Sequence, residues 1–416
     1  MGKAIVGRVP GSKSMTQRAL VMAALADRPV HLAGALRCDD SARLSELLVD
    51  LGATVEWRGD AVTVVAPAEF RPSGKSVWCG NAGTTVRFGI CLSLLLPGEL
   101  VLDGDARMRE RPIGSLGAAL GALGCRVRYL GREGCPPIGV ERGASLPSMV
   151  EVDASLSSQF ASGLALVAPR LPQGLEIRLA PDAVSLSYLA MTVRMMERAG
   201  IALSWNGSDS LRVRPGRYFA DAGAAPVIIA VEPDWSGAAF LFAAGFATGL
   251  PVEIPGLKVP GESLQGDAVF GSFLQMLATD SAHDIDLSDC PDLIAPLVAA
   301  ALFASRPTRI RGAAHTRVKE SDRIAVLCRE FRKIGARFEE YPDGMLIHPL
   351  DAPVSGEQIL DPAGDHRMAM TFGVVSLRVP QIRVADPGCV SKSFPDFWSE
   401  LERFGAHRAR VELVLR

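Results

Sequence analysis

Leu47–Trp57 reads LLVDLGATVEW. An amphipathic segment runs into Gly52, and a short alternating segment leaves it. The glycine predicts a helix C-cap, because φ > 0 costs little without a Cβ. The alternation after it predicts a strand with one buried face. The same figure recurs as AALGALGCRVRYL around Gly124, MMERAGIALSW around Gly200 and FLQMLATDSAHDI around Ala278. It returns as FRKIGARFEEY around Gly335 and LERFGAHRARVEL around Gly405. The spacing is roughly 70 residues, the mark of an internally repeated unit. Each unit has room for a second helix and further strands, so the fold class is α/β with six similar units. Three units per domain divide the chain near residue 230, where DAGAAPVIIAVEPDWSG (Asp221–Gly237) passes from small residues into a strand.

The 416 residues exceed one typical core, which again predicts two domains. A net charge of −2 gives no reason to expect nucleic acid or an acidic membrane as partner. The eight cysteines are scattered without a C-x-x-C pair, so neither a disulfide framework nor a zinc site is expected and a reducing compartment fits. No signal peptide is read at the N-terminus. The longest uncharged run, Trp235–Val252, holds glycines, a proline and hydroxyl residues. It reads as a buried core helix followed by a turn rather than a membrane span.

Chemistry-bearing residues cluster at the starts of elements. GRVPGSKSMTQRAL (Gly7–Leu20) falls one residue short of a phosphate-binding P-loop, with Ser12 where that loop has glycine. Ser12 or Ser14 caps a helix, Lys13 sits at its N-terminus, and Ser14 and Arg18 share a face. Lys13 there either meets an anion or is a solvated cap charge. CGNAGTTVRF (Cys79–Phe88) is a glycine-rich turn before a helix, and DGDARMRERPIG (Asp103–Gly114) crowds Arg107, Arg109 and Arg111. Arg111 precedes proline, which holds its backbone extended. SLSSQF (Ser155–Phe160) offers hydroxyls and an amide, for a ligand or for a helix cap.

HTRVKESDRIAVLCREF (His315–Phe331) predicts a helix with Ile324, Leu327 and Phe331 inward. Lys319 and Arg323 are taken as an i,i+4 pair on its first turn, two like charges that local physics disfavours without an external anion. Glu320 between them is a proton donor or acceptor, or a salt-bridge partner of Arg323. DHRMAM places Arg367 near a helix start capped by Asp365, and SKSFPDFW contributes Lys392. SDCPDLIAPLVAAALFA (Ser288–Ala304) puts Asp292 at the head of an apolar helix, as a cap or as a base. Basic groups from both halves of the chain suit one or two small, highly charged anions. No metal-ligand spacing and no G-x-S-x-G elbow occurs.

The ordered set PGSKSMTQRAL, GNAGTTVRF, DGDARMRERPIG, SSQF, RVKESDRI, DHRMAM and SKSFPDFW resembles the 5-enolpyruvylshikimate-3-phosphate synthase (3-phosphoshikimate 1-carboxyvinyltransferase) family over nearly the whole chain. The resemblance implies the two-domain enolpyruvyl transferase fold, each domain of three βαβαββ units, with the active site in the interdomain cleft. It implies an N-terminal lobe of residues 12–231 and a C-terminal lobe of 1–11 with 232–416. The implied reaction joins phosphoenolpyruvate to the 5-hydroxyl of shikimate 3-phosphate through a tetrahedral adduct that loses phosphate. No cofactor or metal is implied.

By position, Lys13, Ser14, Arg18, Ser157, Ser158, Gln159, Ser185, Tyr188, Asp292 and Lys319 match the shikimate 3-phosphate groups. Lys13, Gly83, Arg111, Gln159, Arg323, Arg367 and Lys392 match the phosphoenolpyruvate groups. Asp292, Glu320 and Lys13 match the catalytic ones. A cytoplasmic monomer with small-molecule substrates is expected, with no nucleic acid or membrane partner. The chain departs from the family pattern at Thr85, Phe88 and His315, and in DPAGDHRMAM. The alternatives are transfer to a modified shikimate-like acceptor and the sister enzyme acting on UDP-N-acetylglucosamine. It carries a cysteine where this chain has Ala106, and Lys-Asn where this chain has Lys13-Ser14.

Overall fold

The computed structural model describes residues 4–223, 225–352 and 354–405. The chain divides into two compact units, one of residues 11–232 and one holding the residues up to Pro10 with those from Pro233 onward.

The 11–232 unit is three copies of one motif. Each copy is a four-stranded sheet whose first two strands are parallel and whose last two form an antiparallel hairpin. In the first sheet Val227–Ala230 runs parallel to Val30–Ala33, which pairs antiparallel with Ala61–Val65, itself paired with Thr54–Arg58. The second sheet orders Ser76–Trp78, Leu100–Asp103, Ile138–Glu141 and Arg126–Tyr129. The third orders Met149–Val152, Leu175–Leu179, Ser210–Val213 and Leu203–Trp205. The helices Lys13–Ala24, Gly83–Cys91 and Gln159–Val167 pack on one another as an inner layer, and nearly every residue in them is buried.

The repeat seen in the sequence is this motif's second helix and hairpin. Helices Asp39–Asp50, Gly114–Ala122 and Leu186–Arg198 end at Gly52, Gly124 and Gly200, whose φ values are +97°, +84° and +82°. At positive φ the chain reverses and starts the edge strand, a conformation that a Cβ would strain.

In the other unit His283–Asp286, Thr308–Arg311, Gly344–Ile347 and Phe338–Tyr341 repeat the same order, with Gly335 at φ +89° before the hairpin. Two further copies contribute parallel pairs, Ile5–Val6 with Val252–Glu253 and Gln358–Leu360 with Ile382–Val384. The inner helices are Trp235–Thr248, Ile294–Ala301 and His366–Ser376, which pack together in one apolar cluster. Trp235–Val252 is thus a core helix capped by Gly249 at φ +72° and followed by a turn. Among the described residues no helix is long and apolar enough to cross a membrane.

The figure around Ala278 does not open a hairpin. Helix Phe270–Leu277 ends at Ala278 with φ −78°, and His283–Asp286 is the opening parallel strand of the next copy. Without a glycine the left-handed cap is missing, and only residues 278–282 separate the two elements. The strand expected after Gly405 lies outside the described residues.

Candidate active site

In the 11–232 unit the three inner helices begin at Lys13, Gly83 and Gln159, residues that the resemblance singles out. Ser12 takes the cap position before Lys13–Ala24 with φ −60° and ψ 118°, yet its side chain makes no cap bond and its Oγ is buried without a partner. Lys13 Nζ lies 3.1 Å from Asp40 Oδ2. Arg18 is fully enclosed: Nε donates to Thr192 Oγ1 at 2.7 Å, Nη1 to Ser14 O at 2.9 Å and Nη2 to Tyr188 O at 3.0 Å. Burial lowers its pKa to about 10, against the attraction of Tyr188. The Arg18 guanidinium sits 5.2 Å over the Phe88 ring, so the Phe88 departure supplies a cation–π partner. Thr85, another departure, is buried and donates to Asp40 O at 3.1 Å.

Gly83 starts helix Gly83–Cys91 beneath the Arg111 guanidinium. Arg111 Nη1 donates to Asn81 Oδ1 at 3.0 Å and Asn81 O at 3.2 Å, while its buried Nε has no partner. Of the three crowded arginines only this one is buried. Arg107 pairs with Glu110 and Arg109 with Asp103 on the surface.

Gln159 starts its helix with its N–H donating to Ser157 Oγ at 3.3 Å, and Ser158 Oγ donates to Ser185 O at 2.7 Å. Ser185 itself stands at φ +59°. Arg87, which the sequence reading passed over, donates to Gln159 Oε1 at 2.8 Å and stacks over Phe160. Gln159 Nε2 donates to Thr84 Oγ1 at 3.2 Å. Tyr188 is half-buried one helical turn from Thr192.

The other unit starts its inner helices with aspartates. Asp234 accepts from Gly237 N at 2.8 Å, Asp365 from Arg367 N at 3.0 Å, and Asp292 sits in the turn Pro291–Leu293 just before Ile294. Carboxylates at these positions meet the positive ends of helix dipoles. Arg323 is the hub, with its side chain 1% exposed. It donates to Asp292 Oδ1, Glu320 Oε2 and Asp365 Oδ2, each at 2.9 Å. Arg367 Nη2 reaches the second Asp292 oxygen at 2.8 Å, and Lys392 Nζ lies 3.6 Å from Glu320 Oε1.

Burial alone would raise the Asp292 carboxyl, but Arg367, Arg323 and Lys319 together hold it well below the usual carboxylate range. Burial likewise opposes the Arg323 charge, and the three carboxylates more than restore it. His315, in the turn Ala314–Val318, is buried. Burial and then Lys319 lower its pKa to about 3.

The Lys319–Arg323 pair departs from expectation. Helix Arg323–Arg332 begins at Arg323 with Asp322 as its cap, accepting from Ala325 N at 3.0 Å. Lys319 ends the preceding turn, so the two cations do not share a helical face. Glu320 is a salt-bridge partner of Arg323 at 2.9 Å, which is the second of the two sequence readings of it.

One unit offers helix N-termini with a lysine, an amide and a buried guanidinium. The other offers carboxylates locked to arginines. Both sets sit at the starts of inner helices in an α/β fold of repeated units. The family model described as EPSP synthase (3-phosphoshikimate 1-carboxyvinyltransferase) matches residues 2–401. The chain is 35% identical to the 3-phosphoshikimate 1-carboxyvinyltransferase of Nitrosomonas europaea, covering 96% of this chain and 95% of that one. It is 37% identical to the enzyme of the same name from Methanoculleus marisnigri, covering 94% of each. In fold it is similar to the EPSP synthase of Acinetobacter baumannii, with a TM-score of 0.73 at 22% identity over 97% of both chains. The enolpyruvyl transferase NikO from Streptomyces tendae gives 0.72 at 16% identity, over 97% of this chain and 96% of that one. The chain belongs to the EPSP synthase family and has the enolpyruvyl transferase fold, which makes it a transferase of the shikimate pathway.

Proposed function

We propose that the chain moves the carboxyvinyl group of phosphoenolpyruvate to the 5-hydroxyl of shikimate 3-phosphate, releasing phosphate, with the residues in the following roles. The observation that carries the assignment is the sharing of Asp292 between Arg323 and Arg367. Two guanidinium groups keep that carboxylate ionised, as a base for a hydroxyl must be at neutral pH. Asp292 takes the 5-hydroxyl proton as the oxygen adds to C2 of phosphoenolpyruvate. Glu320, assisted by Lys13, delivers a proton to the methylene carbon. The C2–O bond to phosphate then breaks, a methyl proton leaves, and the vinyl ether remains.

Lys13, Gly83, Arg111, Gln159, Arg323, Arg367 and Lys392 bind phosphoenolpyruvate, and the cations among them offset its phosphate and carboxylate charge through the transition state. Lys13, Ser14, Arg18, Ser157, Ser158, Gln159, Ser185, Tyr188, Asp292 and Lys319 hold shikimate 3-phosphate. The buried Arg111 Nε and Ser12 Oγ, which have no protein partner, support an external anion in the 11–232 unit. We read the protein as a monomer of the reducing cytoplasm. Its eight cysteines, free thiols of which seven are buried, support that compartment.

Phosphate release from phosphoenolpyruvate tests the reading, with shikimate 3-phosphate and UDP-N-acetylglucosamine as rival acceptors. Release is expected with the first alone, and Asp292→Asn and Lys13→Met should each lower kcat at least about a hundredfold. Release with UDP-N-acetylglucosamine alone, or undiminished turnover in both variants, overturns it.

A further inference from the structure

We propose that Thr192, a residue outside the sets above, is a positioning residue for shikimate 3-phosphate, acting by aiming the Arg18 guanidinium. The inference rests on the reading of Arg18 as one of the groups that hold that substrate.

Arg18 is a buried cation, 2% exposed. Its hydrogen-bond partners among the described residues are three neutral oxygens: Thr192 Oγ1 on Nε, Ser14 O on Nη1 and Tyr188 O on Nη2. A guanidinium has five N–H groups. One hydrogen on Nη1 and one on Nη2 therefore remain for a ligand. A buried charge is costly unless it is paired, and two such hydrogens suit the oxygens of a phosphate or carboxylate.

Where those hydrogens point depends on what holds the rest of the group. Two of the three anchors are main-chain carbonyls, which any sequence supplies. Ser14 O lies on the same helix, four residues back, and moves with Arg18. The Nε anchor is the one made by a side chain, and at 2.7 Å it is the shortest of the three. It reaches across from helix Leu186–Arg198. Tyr188 stands one turn before Thr192 on that helix, so the hydroxyl and the carbonyl grip Nε and Nη2 from one place. The Phe88 ring covers a face of the group at 5.2 Å. Edge and face together leave the guanidinium one plane.

The hydroxyl itself has a set direction. Thr192 is fully buried, and its hydrogen has two acceptors at hand, Tyr188 O at 3.0 Å and Ser162 Oγ at 3.1 Å. Toward either one it points away from Arg18, and a lone pair faces Nε. The bond to Tyr188 O is the back-bond to the preceding turn that threonine makes in a helix, and it selects one side-chain rotamer. Ser162 is buried in helix Gln159–Val167, so the first and third copies of the motif meet at this hydroxyl. Without it the Nε hydrogen is stranded in the interior, and the guanidinium turns to find another acceptor.

The test divides the side chain. Thr192→Val keeps the shape and loses the hydroxyl, whereas Thr192→Ser keeps the hydroxyl and loses the methyl group. Both are compared with the full-length wild type and Arg18→Gln by steady-state kinetics, each substrate varied at saturation of the other, and by thermal melts. Thr192→Val is expected to raise KM for shikimate 3-phosphate about tenfold, with kcat and KM for phosphoenolpyruvate moved less than about threefold. Thr192→Ser should stay within about twofold of the wild type in all three, even where its melting temperature falls. An unchanged KM for shikimate 3-phosphate in Thr192→Val overturns the inference. An equal rise in Thr192→Ser also overturns it, because residue 192 then matters for packing alone. Thr192→Ala carries the same expectation and the same refutation if the valine variant does not fold. Arg18→Gln should raise KM for shikimate 3-phosphate at least about a hundredfold. If it does so while Thr192→Val changes nothing, this inference alone fails. An unaffected Arg18→Gln overturns the reading of Arg18 and the inference with it.

Discussion

The Arg111 guanidinium lies against Gly83 so closely that a Cβ there would stand 2.5 Å from Nη2 and 2.7 Å from Cζ. The helix start and the guanidinium have one arrangement together, and a methyl group at Gly83 would break it.

Gly83→Ala is therefore expected to push Arg111 aside. Alanine is otherwise favourable at a helical position, so the melting temperature should stay level or rise slightly. KM for phosphoenolpyruvate should increase about tenfold while kcat changes less, because a binding group has moved and the acid–base groups have not. Steady-state kinetics with a thermal melt check both halves. A lower melting temperature with unchanged KM would count against the assignment of Arg111.

Arg323 answers three carboxylates at once. Arg323→Ala should destabilise the protein by about 3–5 kcal/mol, since it leaves buried charges without their partner. Arg323→Lys keeps the charge but offers a point in place of a planar fork. It should recover part of the stability and little of the turnover. Urea unfolding of the two variants alongside the wild type separates these effects.

His315 gives a pH signature in stability. Its folded pKa is depressed from 6.5 to about 3, so the unfolded chain takes up a proton that the folded one refuses between those values. Stability is then complete above pH 6.5 and falls as the pH drops toward 3, by up to about 1.4 kcal/mol per pH unit. His315→Asn should flatten the upper part of this window. Asp292, whose folded pKa lies below its ordinary 3.8, still contributes above 3.8 and loses that contribution as the pH falls further. Urea unfolding at intervals from pH 7 to 4 would show a shallower slope in the variant, and an identical slope would assign the loss elsewhere.

Arg87 orients Gln159 and stacks on Phe160 without a place in the proposed substrate contacts. Arg87→Leu keeps the apolar packing and drops the fork. The expected result is a folded enzyme whose kcat/KM for phosphoenolpyruvate is lower by about tenfold. Unaltered kinetics would make Arg87 a packing residue only.

The repeats were legible where glycine closes the helix, because a residue at φ near +90° leaves a clear mark at Gly52, Gly124, Gly200 and Gly335. At Ala278 the apolar pattern looked the same, but the strand after it pairs with a different neighbour. Periodicity records which face is buried, not which strand lies beside it. In the site, cations at element starts stood out because local physics gives them no reason to be there. Lys319 was misplaced because Asp322, the true cap, sits inside a run that helical spacing alone extends too far back. Arg87 and Asp365 as an ion-pair partner stayed hidden for one reason. Their partners lie 72 and 42 residues away, and no local pattern records such pairs.

The parallel pairing of Val227–Ala230 with Val30–Ala33 has a consequence for the order of events on the ribosome. The strand at residue 30 emerges early, but the neighbour that covers its outer edge is synthesised about two hundred residues later, an interval on the order of 10–40 s. Until then that edge stands open to any strand of its kind, including another nascent copy. Translation through this stretch is the period when the chain most depends on chaperones. A pulse-labelled nascent chain halted before residue 227 should be the aggregation-prone species, and one halted well beyond residue 232 should be protected.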